Sequence, residues 1–306
     1  MYWLPFLERL VQDGIPRERL IPISRGGAAA WYGCPKGLEV YGMRPVEDVR
    51  VEMRLRVASA KESLKQLRWT PFERQLVKDA AETLGLTSYQ TLHPRWMYHV
   101  LSNYWEAQKG LAWLQKRVVW STIPAPALPP LTMDLPEPFV AVRFYQRPTF
   151  TDRAKGFAEA VVAQISRDVP VVILHNDTFV DDHQDLKLQG RNVYHLRDLV
   201  PEVPVASNLA IQTAVLAKAA AFVGTYGGFA QLALRMGKPS VSFVEEWQGT
   251  MLVHKHLAET VGIVTGVPFL VTGIPDIPLL QGALPILRTR EEKSVPAVNL
   301  RVANSA

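Results

Sequence analysis

Between Ile123 and Pro138 the chain carries prolines at 124, 126, 129, 130, 136 and 138, and no regular element can cross them. Proline lacks an amide hydrogen and its ring collides with the preceding helical turn, so helix interiors and central strands both exclude it. Such a segment is extended and semi-rigid, which makes it an interdomain linker. It divides the 306 residues into an N-terminal part, 1–122, and a C-terminal part, 139–306. Domains usually span about 100–200 residues, and each part is large enough to bury a core of its own.

After the linker the pattern becomes regular. Short apolar runs at Phe139–Arg143, Pro170–Leu174, Asn192–Leu196, Ala221–Val223 and Pro239–Phe243 read as strands. Helical spacing occupies Asp152–Ile165, Ser207–Ala219 and Phe229–Met236, with a short polar helix expected near Asp182–Leu188. Continuously apolar strands alternating with helices imply βα units and a parallel sheet covered on both faces.

The first half is less regular. Trp3–Gln12 is an amphipathic helix, and Arg19–Ile23 and Leu38–Gly42 resemble strands. Thr70, Pro71 and Glu73 are the N-cap, first position and closing glutamate of a capping box, which predicts a helix ending before Gly85. Trp96–Val119 is expected to be helical and carries many of the aromatic residues.

A single cysteine, Cys34, permits no intramolecular disulfide. No run of about 18 uncharged apolar residues is present, and Glu8 and Arg9 interrupt the opening apolar pattern, so neither a membrane span nor an export signal is expected. A cytoplasmic location follows. The net charge of +5 suits an anionic ligand. The basic residues are scattered, without the aromatic–basic alternation of a nucleic-acid groove, so no nucleic-acid partner is expected.

Candidate ligand residues cluster at strand ends, where open α/β sheets place their sites. Arg143 closes the first strand of the second half, followed by Tyr145; its guanidinium can grip phosphate oxygens bidentately or be salt-bridged at the sheet end. The run Gly224-Thr225-Tyr226-Gly227-Gly228 leads a strand into a helix, where free amides suit a phosphate or glycine merely serves a tight turn. His175-Asn176-Asp177 follows the strand Pro170–Leu174. In Asp181-Asp182-His183-Gln184-Asp185 the spacing fits no common zinc set, and acidic residues suit a first helical turn, so a solvated helix start is expected. In the first half, Arg25-Gly26-Gly27 is an acceptor-side candidate, as is Trp96. His93 is a candidate catalytic group, with Asp13 and His99 as further bases by residue type.

Taken together, these segments resemble glycosyltransferases of the GT-B architecture, and the C-terminal half is similar to the fucosyltransferase-like branch. The strand ending at Arg143, the polar turn after Leu174 and the glycine turn at 224–228 carry the resemblance, in that order. The branch's paired arginines are represented by Arg143 and Phe144. The resemblance implies two Rossmann-like doubly wound domains facing across a cleft, the N-terminal one lacking its first strand and glycine loop. It implies a nucleoside-diphosphate sugar as substrate, a glycan or other hydroxyl acceptor, no cofactor and no metal, in keeping with the absence of an Asp-x-Asp pair. The donor side would comprise Arg143, Tyr145, His175, Asn176, Asp177, Asn208, Gln212, Thr225, Tyr226, Gly227, Gly228 and Glu245. Arg143 would stabilise the leaving diphosphate. Two alternatives share the architecture: a nucleotide-sugar epimerase or pyruvyl transferase, and a catalytically inactive binding protein.

Overall fold

The computed structural model describes residues 4–59, 68–106, 109–146, 152–175, 184–200, 202–245 and 258–274. The N-terminal half is mostly helical: α1 Leu4–Gln12, α2 Val40–Met43, α3 Val46–Ser59, α4 Pro71–Thr83, α5 Pro94–Glu106 and α6 Leu111–Gln115. Its strands, β1 Ile23–Ser24 and β2 Leu38–Glu39, form an isolated parallel pair. The expectation of a second doubly wound domain is therefore corrected: among the described residues this half has no multi-stranded sheet. The strand expected over Leu38–Gly42 turns helical at Val40, and α3 was not expected at all. The long helix expected over Trp96–Val119 is two helices, with Gly110 standing at the N-cap of the second. The capping box of α4 forms as expected: the Thr70 hydroxyl accepts from the Glu73 amide at 3.2 Å, and the Glu73 carboxylate accepts from the Thr70 amide at 3.1 Å.

The second half contains β3 Val140–Arg143, β4 Tyr145–Gln146, α7 Asp152–Ile165, β5 Val171–Ile173, β6 Gln184–Asp185, β7 Val193–His195, α8 Leu196–Leu199, α9 Asn208–Lys218, β8 Ala221–Thr225, α10 Gly228–Arg235, β9 Ser240–Val244, a helix α11 over 258–265, and β10 Phe269–Gly273. Six strands make one sheet in the order β7-β5-β3-β8-β9-β10, every pair parallel. Numbered within this half, the order is 3-2-1-4-5-6, the doubly wound arrangement in which chain direction across the sheet reverses between β3 and β8. The polar helix expected near Asp182–Leu188 is corrected. Gln184–Asp185 is a strand paired antiparallel with Tyr145–Gln146, because local polarity does not reveal a partner forty residues away.

Alternation along the strands separates two cores. Val140, Val142, Val171, Ile173, Val223, Val241 and Phe243 face α7, through Phe157, Val161 and Val162. Ala141, Val172 and Phe222 face the opposite way, toward Ile211, Val215, Leu216, Leu232 and Ala233 of α9 and α10. That second core does not stop at the linker. It also contains Leu4, Ala28, Trp31 and Ile123, with Leu128, Leu131 and Leu135 packed against it.

The proline-rich segment is thus docked on the second half and does not hold two cores apart. Its Ile123 amide donates to the Arg235 carbonyl at 2.9 Å, and the Thr132 amide to the Leu199 carbonyl at 3.0 Å. Prolines, which have no amide hydrogen to leave unsatisfied, can lie on an apolar surface without burying idle donors.

Helix α9 is apolar nearly all round because it is covered twice, by the sheet and by the first half. The Trp31 indole donates to the Thr213 hydroxyl at 3.1 Å across this junction. A net hydrogen bond contributes about 1 kcal/mol, whereas burying a large apolar side chain contributes about 1.5–3 kcal/mol. Burial of Trp31 and its neighbours therefore dominates the docking. Elsewhere the first half keeps two local clusters, Phe6, Met97, Tyr98, Tyr104, Leu114 and Val118 in one and Val40, Val49 and Leu76 in the other.

Candidate functional site

At the switch point β3 and β8 lie side by side, with Arg143 opposite Gly224 in register. A Cβ on Gly224 would overlap the Arg143 carbonyl oxygen, so glycine is required for the strands to run this close. One residue on, the Thr225 hydroxyl accepts from the Tyr145 amide at 3.2 Å and donates to the Tyr145 carbonyl at 3.3 Å. The Tyr145 hydroxyl donates to the Tyr226 carbonyl at 3.2 Å. Tyr145 and Thr225, both donor-side candidates, are thus used to staple the two strand ends. Gly227 serves the same staple, since a Cβ there would strike the Tyr145 hydroxyl. Gly228 differs: among the described residues, apart from its chain neighbours and its own helix, a Cβ on it would meet nothing within 4 Å.

Arg143 sits in the middle of this arrangement. Its Nε donates to Asp185 Oδ1 at 2.9 Å and its Nη2 to Asp185 Oδ2 at 3.3 Å, while Nη1 donates to Gln212 Oε1 at 3.1 Å. The guanidinium carbon lies 4.5 Å from the ring centroid of Phe229, in the first turn of α10. Gln212 is fully buried and donates in turn to Asn208 Oδ1 at 2.8 Å, one helical turn earlier. Of the two roles open to Arg143, the salt bridge at the sheet end is present: its side chain is 15% exposed and already paired with a carboxylate. The sequence placed Asp185 in a solvated helix start, yet its side chain is 11% exposed. A guanidinium has five N–H groups, so the three bonds leave one N–H on each terminal nitrogen.

Tyr226, also assigned to the donor side, turns into the apolar core. It is buried, its hydroxyl accepts from Gln231 Nε2 at 3.2 Å, and burial pushes its phenol well above the usual range. His175 follows β5, and its ring centroid is 5.3 Å from that of His195 at the end of β7. His195 was not among the sequence candidates, although its place at a strand end was a signal for it. Glu245 follows β9 at the same end of the sheet. Asn176 and Asp177 lie outside the described residues.

The acceptor-side candidates separate. Gly26 and Gly27 have φ of +65° and +78° and press against α9, where the Gly26 carbonyl accepts from the Ala210 amide at 2.8 Å. Their own amides donate to Glu39 Oε1 and Oε2 at 3.0 and 2.8 Å. The Arg25–Gly27 loop therefore reaches the helix that carries Asn208 and Gln212, but both glycine amides are taken by a carboxylate of the same chain. His93 and Trp96 lie among other partners. His93 Nδ1 accepts from the Arg95 amide at 3.1 Å, which leaves Nε2 to donate to Glu73 Oε1, 3.1 Å away. Burial holds the His93 imidazole below its ordinary pKa. Glu73 is held low although its burial alone would raise it, because Arg56, the Thr70 amide and His93 all bond to the carboxylate. His93 is thus a neutral donor in the cap of α4, and Trp96 packs edge-on against Phe6 at 5.6 Å. Asp13 pairs with Arg9 at 2.7 Å on an exposed helix face.

Among the described residues, no group of three or more His, Cys, Asp or Glu is arranged to hold a metal ion, and no helix is long and apolar enough to cross a membrane. The chain matches no protein-family model and no curated protein. Among solved structures it is similar to the glycotransferase of kitacinnamycin, at 16% identity over 94% of this chain and 87% of that one, with a TM-score of 0.34. A likeness at that level carries no argument, so the functional reading rests on the geometry of the switch point.

Proposed function

We propose that the crevice between β3 and β8 binds the diphosphate of a nucleoside-diphosphate sugar and that the chain is a glycosyltransferase. The observation that carries this reading is the position of Arg143. It lies at the switch point, where doubly wound sheets take their ligands, with its guanidinium over the ring of Phe229, the second residue of α10. The first amides of a helix have no intrahelical acceptor, and the helix dipole favours an anion there. Open space beside Gly228 leaves room for one. The remaining N–H groups of Arg143 and the amides at the start of α10 would stabilise the charge that develops on a departing diphosphate. Such preorganised electrostatics is usually the largest catalytic contribution.

A second reading, nucleotide binding without transfer, is favoured by one feature. Among the described residues the first half contributes no second doubly wound sheet to present an acceptor. One experiment separates the two. Melting curves with UDP, GDP, ADP, CDP and TDP identify the base, since a ligand that binds the folded state raises the midpoint with concentration. The matching nucleotide sugar is then followed for release of its diphosphate. Stabilisation with sugar release supports the transferase, and stabilisation without release supports the binding protein. No response to any diphosphate overturns both.

A further inference from the structure

We propose that Asp185 is a positioning residue, which turns Arg143 so that its outer edge faces the incoming diphosphate; this deepens the reading of the crevice as an oxyanion site and rests on it. Asp185 takes one edge of the guanidinium, through Nε and Nη2, and Gln212 takes one hydrogen of Nη1. What remains is one N–H on Nη1 and one on Nη2, enough to donate to two oxygens of a phosphate. The planar group is fixed on three sides, by the carboxylate, by the Gln212 amide and by the Phe229 ring.

The carboxylate is itself tied to the strand end that carries the arginine. Asp185 lies opposite Tyr145 in the β4–β6 ribbon, and the Leu186 amide donates to the Phe144 carbonyl at 2.9 Å. Carboxylate and guanidinium therefore share one piece of backbone geometry. An unrestrained arginine loses its rotamer freedom when ligand binds, whereas this one has lost it on folding. Asp185 also offsets the charge of the guanidinium. The arginine then acts on an oxyanion through its two remaining N–H groups more than through a diffuse positive field.

The test uses the full chain and the diphosphate that binds best among UDP, GDP, ADP, CDP and TDP, with the corresponding nucleoside as control. Dissociation constants are measured by calorimetry at about 150 mM salt, where charges beyond roughly 8 Å are screened. Asp185→Asn should weaken the diphosphate roughly ten- to a hundredfold, the range for partners that orient a ligating group, and leave the nucleoside within about twofold. In an Arg143→Lys background the same change should have little further effect, because a lysine has no fork to orient.

Asp185→Glu keeps the charge pair and so the fold, but displaces the carboxylate by one methylene, and it should weaken the diphosphate by an intermediate factor. Tighter diphosphate binding in Asp185→Asn would make Asp185 a competitor of the ligand and overturn the proposal. So would equal weakening of diphosphate and nucleoside, or unaltered affinity in Asp185→Glu. If the parent binds and Arg143→Lys weakens it while both Asp185 variants do not, only the positioning role falls. If the parent binds no diphosphate, the crevice reading falls and the positioning role with it.

Discussion

Two glycine turns in this chain present the same signal, a glycine pair following a strand, and the fold uses them in opposite ways. At Gly26–Gly27 the amides are bonded to both oxygens of Glu39, and a Cβ on Gly27 would come within 2.7 Å of the Ala210 Cβ. That turn is filled by the protein's own carboxylate and by the first turn of α9. At Gly227–Gly228 the first glycine is needed by the Tyr145 staple, and the second adjoins open space over the start of α10. A turn that receives an internal anion serves assembly. A turn with open space beside one of its glycines leaves room for a ligand.

The largest expected effect tests whether the second turn's arginine is also structural. Arg143→Ala breaks the ion pair with the nearly buried Asp185 carboxylate, and removing one member of a pair at this depth costs about 3–5 kcal/mol. Urea unfolding should show a loss of that size, and a loss below about 1 kcal/mol would mean that water replaces the guanidinium without strain. Arg143→Lys should retain more stability while still losing diphosphate affinity, so it is the better probe of binding.

At the first turn, Gly27→Val places a β-branched side chain at φ +78° and drives it into α9. Left-handed strain and overpacking together are worth about 2–5 kcal/mol, so the midpoint of thermal unfolding should drop sharply. A variant as stable as the parent would show that the Arg25–Gly27 loop is not tightly docked on α9.

Gly228→Val is the counterpart. Among the described residues, nothing outside its own helix and chain neighbours lies within 4 Å of the new Cβ, so stability should change by less than about 0.5 kcal/mol. Diphosphate affinity should fall roughly tenfold or more, equivalent to about 1.4 kcal/mol. Unchanged affinity in this variant would erase the difference between the two turns.

The smallest effect lies in the first half and depends on pH. His93 is held below its ordinary value of 6.5 by burial, and Glu73 is held below 4.5 by Arg56, Thr70 and His93 against the cost of its own burial. In both cases the unfolded chain binds protons more readily than the folded one, so stability rises with pH across the window below each ordinary value. The melting midpoint should therefore fall as pH is lowered through 6.5 and again below 4.5. His93→Gln, which preserves a donor to Glu73, should remove the upper step; persistence of that step in the variant would assign it to another group.

The alternating strands and helices after Phe139 were legible because each is specified within a short window, by apolar runs or helical spacing. The capping box at Thr70 was legible for the same reason, since its partners are three residues apart. Proline placement likewise fixed an extended segment at 123–138. What that segment does was not legible, because its docking depends on Leu199 and Arg235, which lie far along the chain. The helical first half was misread as a second sheet because some of its apolar residues, Leu4, Ala28 and Trp31, are buried against the sheet of the other half. Residue types and strand ends at the site could be read from local order: Arg143 closing a strand, glycines opening a helix. Tertiary structure alone decided that Arg143 meets Asp185 forty-two residues away and Gln212 sixty-nine away, and that Gly27 packs against α9 while, among the described residues, Gly228 adjoins open space. Periodicity and caps act over a few residues, whereas ion pairs and steric occupancy depend on which distant segments the packed fold brings within a few ångströms.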